Sequence, residues 1–101
     1  MNKTKKYAGI DNDPKGAMNP TGNIIRDAWV FGLIPETETC EGWLPQGIDN
    51  LYDKVYAEWE KYGHLVSHLP PELGQRHQRI YDEAVRHARD LGWDPELSES
   101  D

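Results

Sequence analysis

The sequence has a single cysteine and no long hydrophobic run. One thiol, Cys40, excludes an intramolecular disulfide. A helix that crosses a bilayer needs roughly 18 or more apolar residues in succession, and no segment of this chain is that apolar. The lysines of Met1–Lys6 are followed by Tyr7–Asp11, which is too polar for the apolar part of a signal peptide. We therefore expect a cytoplasmic protein.

Basic residues are also scarce. The chain has 11 Lys and Arg against 18 Asp and Glu, which gives a formal net charge of −7. Nucleic acids bind basic surfaces through counterion release, and anionic membranes attract basic segments. The charge therefore predicts a protein partner, either an unidentified protein or a second copy of the chain, with no nucleic acid and no membrane as partner.

Aliphatic residues are few, and aromatic rings compensate for them. Hydrophobic residues make up 37% of the 101, and they include four Trp and five Tyr. Each buried aromatic ring removes roughly 150–250 Å² from water, so a few rings can complete one small core. We expect a single domain at 20–93 between a flexible N-terminal tail, 1–19, and an acidic C-terminal tail, 94–101, because both ends lack a periodic apolar pattern.

Three stretches have apolar residues at helical spacing, and they predict α-helices at about 20–31, 46–62 and 71–91. The first has Pro20 at its start and Gly32 just after its end. The apolar stripe of the second consists of Ile48, Leu51, Tyr52, Val55, Tyr56, Trp59 and Tyr62. The stripe of the third consists of Leu73, His77, Ile80, Tyr81, Ala84, Ala88 and Leu91.

These helices predict an all-α protein, a compact three-helix bundle or an irregular helical array with flexible tails. A β-strand at 65–69 is an alternative for the last connector, although the sequence offers no second strand to pair with it.

Metal and cofactor motifs are weak. His64 and His68 are four residues apart, but they lie between Gly63 and Pro70, where a helix is not expected. The zinc-protease motif also requires Glu directly after its first His, and Leu65 is there instead. We expect no metal and no cofactor.

Catalytic candidates are equally few, and we assign no catalytic residue. Cys40 lies near Glu38 and Glu41, whose charges raise the pKa of a thiol and disfavour a nucleophilic thiolate. His77 lies within an apolar stripe, as either a base, a pH sensor or a boundary histidine. The alternative hypothesis is a small enzyme or metal-dependent protein that uses Cys40, His64, His68 or His77. It requires at least two of these side chains to meet in a pocket.

The apolar segment that begins at Trp29 and ends at Pro35 is followed by an acidic loop. Exposed aromatic groups mark partner surfaces, and an acidic rim around them favours basic partners. The candidate partner surface consists of Trp29, Phe31, Glu36, Glu38, Glu41 and Trp43. The alternative is that this segment is the central core element. We predict a protein-binding or accessory module rather than an enzyme.

Overall fold

The computed structural model describes residues 6–12, 18–90 and 92. They form three α-helices, α1 (Pro20–Val30), α2 (Pro45–Glu60) and α3 (Pro71–Asp90), and two 3-10 turns, Ile10–Asn12 and Val66–His68. No β-strand occurs in these ranges, and a 3-10 turn occupies the segment considered as a strand. The prediction of an all-α protein with three helices is confirmed.

The helix boundaries follow from capping residues. All three helices begin with proline, whose missing N–H is no loss at a position that has no intrahelical acceptor. The side chain of Asn19 caps α1, since its Oδ1 accepts a hydrogen bond from the Gly22 N–H at 2.8 Å. Helix α1 ends one residue and α2 two residues earlier than the periodicity predicts, and the last residue predicted for α3, Leu91, lies outside the described residues. None of the described helices has the length and apolar character that a bilayer crossing requires.

The end of α2 is closed by two consecutive residues in the left-handed region, Gly63 at φ +63° and His64 at φ +60°. The N–H of His64 donates to the carbonyl of Trp59 at 3.0 Å, which satisfies an acceptor at the end of the helix. This turn directs the chain into the connector that leads to α3.

Helix α1 is the central element. In the described part of the chain, the extensive helix–helix contacts are those of α1 with α2 and of α1 with α3. Three α1 side chains, Ile25, Ala28 and Val30, are completely buried. The main buried cluster consists of Ile10, Ile25, Ala28, Cys40, Leu51 and Val55.

The segment 6–12 is packed against the loop that precedes α2. The Tyr7 N–H donates to the Trp43 carbonyl at 2.8 Å, and the Tyr7 carbonyl accepts from the Gly42 N–H at 2.7 Å. Ile10 is only 6% exposed and belongs to the core. The absence of a periodic apolar pattern in residues 6–12 does not indicate this packing. Residues 18 and 19, at the end of the predicted N-terminal tail, are also described, whereas 1–5 and 13–17 lie outside the described residues. The predicted C-terminal tail, 94–101, lies outside them as well.

Candidate functional site

A carboxylate joins the three helices. Asp27 of α1 accepts a hydrogen bond from the Trp59 indole N–H of α2 at 3.0 Å and from the Tyr81 hydroxyl of α3 at 2.6 Å. Burial, followed by the negative charge of Asp27, raises the pKa of Tyr81, so its hydroxyl keeps the proton that it donates. The Trp59 bond orients α2 against α1, and the Tyr81 bond orients α3 against the same helix.

A series of aromatic contacts includes Trp59 and Tyr81, the two residues that bind this carboxylate. Phe31 meets Trp59 edge to face, with ring centroids 5.1 Å apart, and lies parallel to Tyr62 at 6.2 Å. On the other side of Trp59, the His77 ring lies at 6.1 Å and stacks on Tyr81 at 4.5 Å. Each such pair adds about 0.5–1.5 kcal/mol beyond area burial. His77 is therefore a member of the helix interface.

The aromatic members of the predicted partner surface are partly buried. Trp29, Phe31 and Trp43 are partly buried and pack against the main core cluster. The Trp29 indole N–H donates to the Glu38 carbonyl at 2.9 Å, so its polar group is already satisfied. These three rings therefore anchor α1 and the following loop to the rest of the fold.

Two of its three acidic members have partners within the chain. Glu36 is exposed and pairs with Arg79 of α3, with oxygen–nitrogen distances of 2.9 and 3.1 Å. This hydrogen bond and the Arg79 charge lower the pKa of Glu36. The Glu38 carboxylate accepts from the Cys40 N–H at 3.0 Å. Glu41 is exposed. The loop is thus bound to α3 at one end and folded on itself at the other.

The residues of the predicted polar site have different neighbours. Cys40 is fully buried in the core, where burial and then the charge of Glu38 raise its pKa to about 11. His64 is exposed, and its ring lies 4.6 Å from that of Tyr56. His68 is exposed with its Nδ1 3.2 Å from the Tyr62 carbonyl. Among the described residues, no three His, Cys, Asp or Glu side chains are placed to hold a metal ion.

A cleft of about 270 Å³ opens between α1 and α3. Arg26 forms part of its wall and is only 1% exposed. Its guanidinium donates to the Asn23 side chain at 3.2 Å and lies 5.7 Å from the centre of the Tyr81 ring. Arg79, already paired with Glu36, lines the mouth. Both arginines of this cleft are therefore engaged with the chain itself.

An exposed aromatic surface lies on α2. Tyr52 and Tyr56 are 48% and 52% exposed, and their spacing of four places them on one side of the helix. Ile48, one turn earlier on α2, and Trp43, in the loop that precedes the helix, line an open cleft of about 340 Å³. We call these four residues the tyrosine face. At its far end His64 packs on Tyr56, and the exposed Leu65 and Val66 follow.

Carboxylates accompany this face along one side. At 100° per residue, Asp49, Asp53 and Glu60 project beside Tyr52 and Tyr56, away from the buried side of α2. All three are exposed. We call them the acidic edge.

The periodicity of α2 predicts that Tyr52 and Tyr56 belong to the buried stripe, and that prediction is wrong. Leu51 and Val55 are buried, whereas both tyrosines are about half exposed. The stripe of seven apolar residues is wider than its neighbours cover, since α2 has α1 as its main helical neighbour. The two tyrosines lie at the margin of the stripe next to the acidic edge, and this position is the signal by which the sequence could have indicated them.

Comparisons of the chain with known protein families, with curated proteins and with solved structures found no match. The site is therefore interpreted from its own geometry and chemistry.

Proposed function

We propose that the protein is a small helical module that binds another protein through the tyrosine face. The observation that supports this role is the half-exposed state of Tyr52 and Tyr56 on a helix whose other side is fully buried at Leu51 and Val55. Tyrosine is enriched among the residues that dominate binding energy at protein interfaces. Its ring offers a large contact area with only two rotatable bonds to fix.

The support beneath this face favours binding. Trp59 of α2 is held by the Asp27 carboxylate, and Phe31 and His77 pack on its ring. A rigid helix loses little conformational entropy when a partner docks, so more of the contact energy appears as affinity. The tyrosines are thus presented on a surface that is already ordered.

The dimensions suit a modest interface. The 16 residues of α2 correspond to about 24 Å at 1.5 Å per residue, and the cleft at Trp43 and Ile48 extends the surface at the start of the helix. A cleft beside exposed rings is a place where a partner side chain can insert, as hot-spot residues do. We further propose a cytoplasmic location, because the only cysteine is a free thiol, which a reducing compartment preserves.

Affinity purification from the native host tests the role. The bait is compared with Tyr52→Ala/Tyr56→Ala and with Gln78→Ala/Arg86→Ala, a control pair exposed on α3. Truncation of a hot-spot residue costs about 2 kcal/mol or more, so recovery of a specific partner should fall more than tenfold with the tyrosine pair. It should not change with the α3 pair.

Circular dichroism must show that both variants keep the helical content of the native protein. If folded Tyr52→Ala/Tyr56→Ala retains every partner that the native protein retains, the tyrosine face is not the binding site.

A further inference from the structure

We infer that the partner presents a lysine- or arginine-rich segment that carries aliphatic or aromatic anchors, with the anchors on the tyrosine face and the cations on the acidic edge. This inference rests on the proposed function, because it assigns the chemistry of the partner for the same surface.

The acidic edge follows the tyrosines closely. Asp49 is three residues before Tyr52, and Glu60 is four residues after Tyr56. Side chains three or four residues apart are neighbours on a helix surface. Asp53 directly follows Tyr52 in the chain and lies on the same side of α2 as Asp49 and Glu60. A segment that packs on both rings must therefore lie beside three carboxylates.

The residues that the structure describes do not neutralise these charges. Within 6–12, 18–90 and 92, Asp49, Asp53 and Glu60 have no ion pair or hydrogen bond through their carboxylates. By contrast, Glu58 on the other side of α2 pairs with Lys61 at 3.1 Å. Because the three charges are uncompensated, a basic partner gains attraction without first breaking an existing pair.

Charge also decides against a second copy as the occupant. Each copy would bring a net charge of −7 to the contact, and the juxtaposition of like charges disfavours association. Lys6, which lines the cleft near Trp43, supplies one positive charge at the start of the face. One lysine does not balance three carboxylates, so the surface remains complementary to cations.

A peptide titration tests the inference with defined probes. The first probe is an amphipathic peptide of leucine and lysine, and the second has the same leucines with glutamate in place of lysine. Binding is followed by the amide shifts of the ¹⁵N-labelled protein. We expect the lysine peptide to shift residues of α2 and to bind more weakly as salt is raised, and the glutamate peptide not to bind.

A neutralised triple variant provides the decisive comparison. Asp49→Asn/Asp53→Asn/Glu60→Gln should weaken binding of the lysine peptide about tenfold, since each exposed charge contributes a modest attraction. The matched control, Glu72→Gln/Asp82→Asn/Asp90→Asn, removes an equal number of negative charges, three, from exposed positions of α3. It should change binding less than about twofold if the attraction is local.

The outcomes separate the inference from the function it rests on. Equal weakening by both triple variants, equal binding of both peptides, or shifts centred on α3 would overturn the basic partner. Concentration-dependent association of the native protein that Tyr52→Ala/Tyr56→Ala abolishes would overturn it in favour of a second copy. If the tyrosine pair removes a native partner while the acidic-edge triple does not, the binding role stands and its basic chemistry is wrong.

Discussion

Removal of the Asp27 carboxylate should destabilise the whole fold. Its two oxygens accept hydrogen bonds from Trp59 on α2 and from Tyr81 on α3. Asp27→Ala leaves the Trp59 indole N–H without its acceptor, and a buried donor left unsatisfied costs about 1–3 kcal/mol. The Tyr81 hydroxyl also lies 3.1 Å from the Asn23 carbonyl and keeps that acceptor, so the loss of its bond to the carboxylate adds only about 1 kcal/mol. The higher helix propensity of alanine offsets roughly half a kcal/mol. We expect a loss of about 1.5–3.5 kcal/mol, a large fraction of the 5–15 kcal/mol typical of a domain.

Urea unfolding, followed by circular dichroism and by tryptophan fluorescence, measures this loss. The control is Asp82→Ala, an exposed change on α3 that makes the same replacement in a helix and should stay within about 0.5 kcal/mol of the native protein. Asp27→Asn keeps one acceptor and should fall between the two.

A double-mutant cycle with Tyr81→Phe isolates one of the two bonds. Asp27→Ala should cost about 1 kcal/mol less in the Tyr81→Phe background, because the hydroxyl donor is then already absent. If Asp27→Ala matches Asp82→Ala, or if the cycle shows no coupling, the carboxylate does not join the helices.

Three further predictions concern other parts of the fold. Gly9→Ala should lower the free energy of unfolding by about 1–3 kcal/mol, because φ is +99° there and a Cβ would lie 3.0 Å from that of Glu41. Its control is Gly74→Ala in α3, where a Cβ meets nothing within 4 Å. That change should stabilise the protein by up to about 1 kcal/mol in the same urea assay. The raised pKa of Cys40 predicts that stability falls between pH 9 and about 11, where the unfolded state loses the thiol proton and the folded state keeps it. Cys40→Ala should remove this part of the decrease in unfolding free energy at alkaline pH. Iodoacetamide should label the folded thiol about a hundredfold more slowly than the urea-unfolded one. Rapid labelling of the folded chain would show an accessible thiolate and contradict the burial of Cys40. Because the pKa of Glu36 is lowered, its pair with Arg79 stabilises the folded state at pH values above the ordinary pKa of glutamate, and this stabilisation is lost in acid. Glu36→Gln should therefore lower the free energy of unfolding by less than about 1 kcal/mol at pH 7 and leave it unchanged at pH 2. A loss of stability that persists at pH 2 would contradict the ion pair.

The helices were predictable because their signals are local. Spacing of apolar residues, Pro20 at the first turn and Gly63 at a helix end are all properties of neighbouring positions. The alternation of helices and connectors then leaves few ways to bury three apolar stripes.

The packing of segment 6–12 was not predictable in the same way. Tyr7 and Ile10 are held by backbone hydrogen bonds to residues more than 25 positions away, at Trp43 and Thr39. Backbone hydrogen bonds of this kind leave little trace in the side-chain pattern. A single isoleucine among polar residues indicates no partner.

The two charged residues inside α1 illustrate a similar limit. Periodicity places Arg26 and Asp27 within an otherwise apolar stretch, but it does not tell which of their possible partners will pair with them. In the structure Arg26 is buried against Asn23 and Tyr81, and Asp27 binds Trp59 and Tyr81. Both roles depend on α3, which follows at least 40 residues later.

The partner surface predicted from the sequence and the tyrosine face have one residue in common, Trp43. An aromatic surface beside carboxylates is present, and Trp43 contributes to it. Trp29 and Phe31, however, pack toward the core, while Tyr52 and Tyr56 remain exposed. The position of the two tyrosines beside the acidic edge marks which margin of the stripe can stay uncovered. Whether it does stay uncovered depends on how many neighbours the helix has, and the rest of the chain sets that number.

Solvent access to individual tyrosine rings tests the central claim most directly. In a photochemically induced dynamic nuclear polarisation experiment on dilute protein, the NMR signals of a tyrosine ring are enhanced only if a photoexcited dye in solution can contact that ring. We predict strong signals from Tyr52 and Tyr56 and none from Tyr81, whose hydroxyl is bound to Asp27. Silent Tyr52 and Tyr56 rings in the monomer, or a polarised Tyr81, would contradict the arrangement of α2 and the binding role assigned to it.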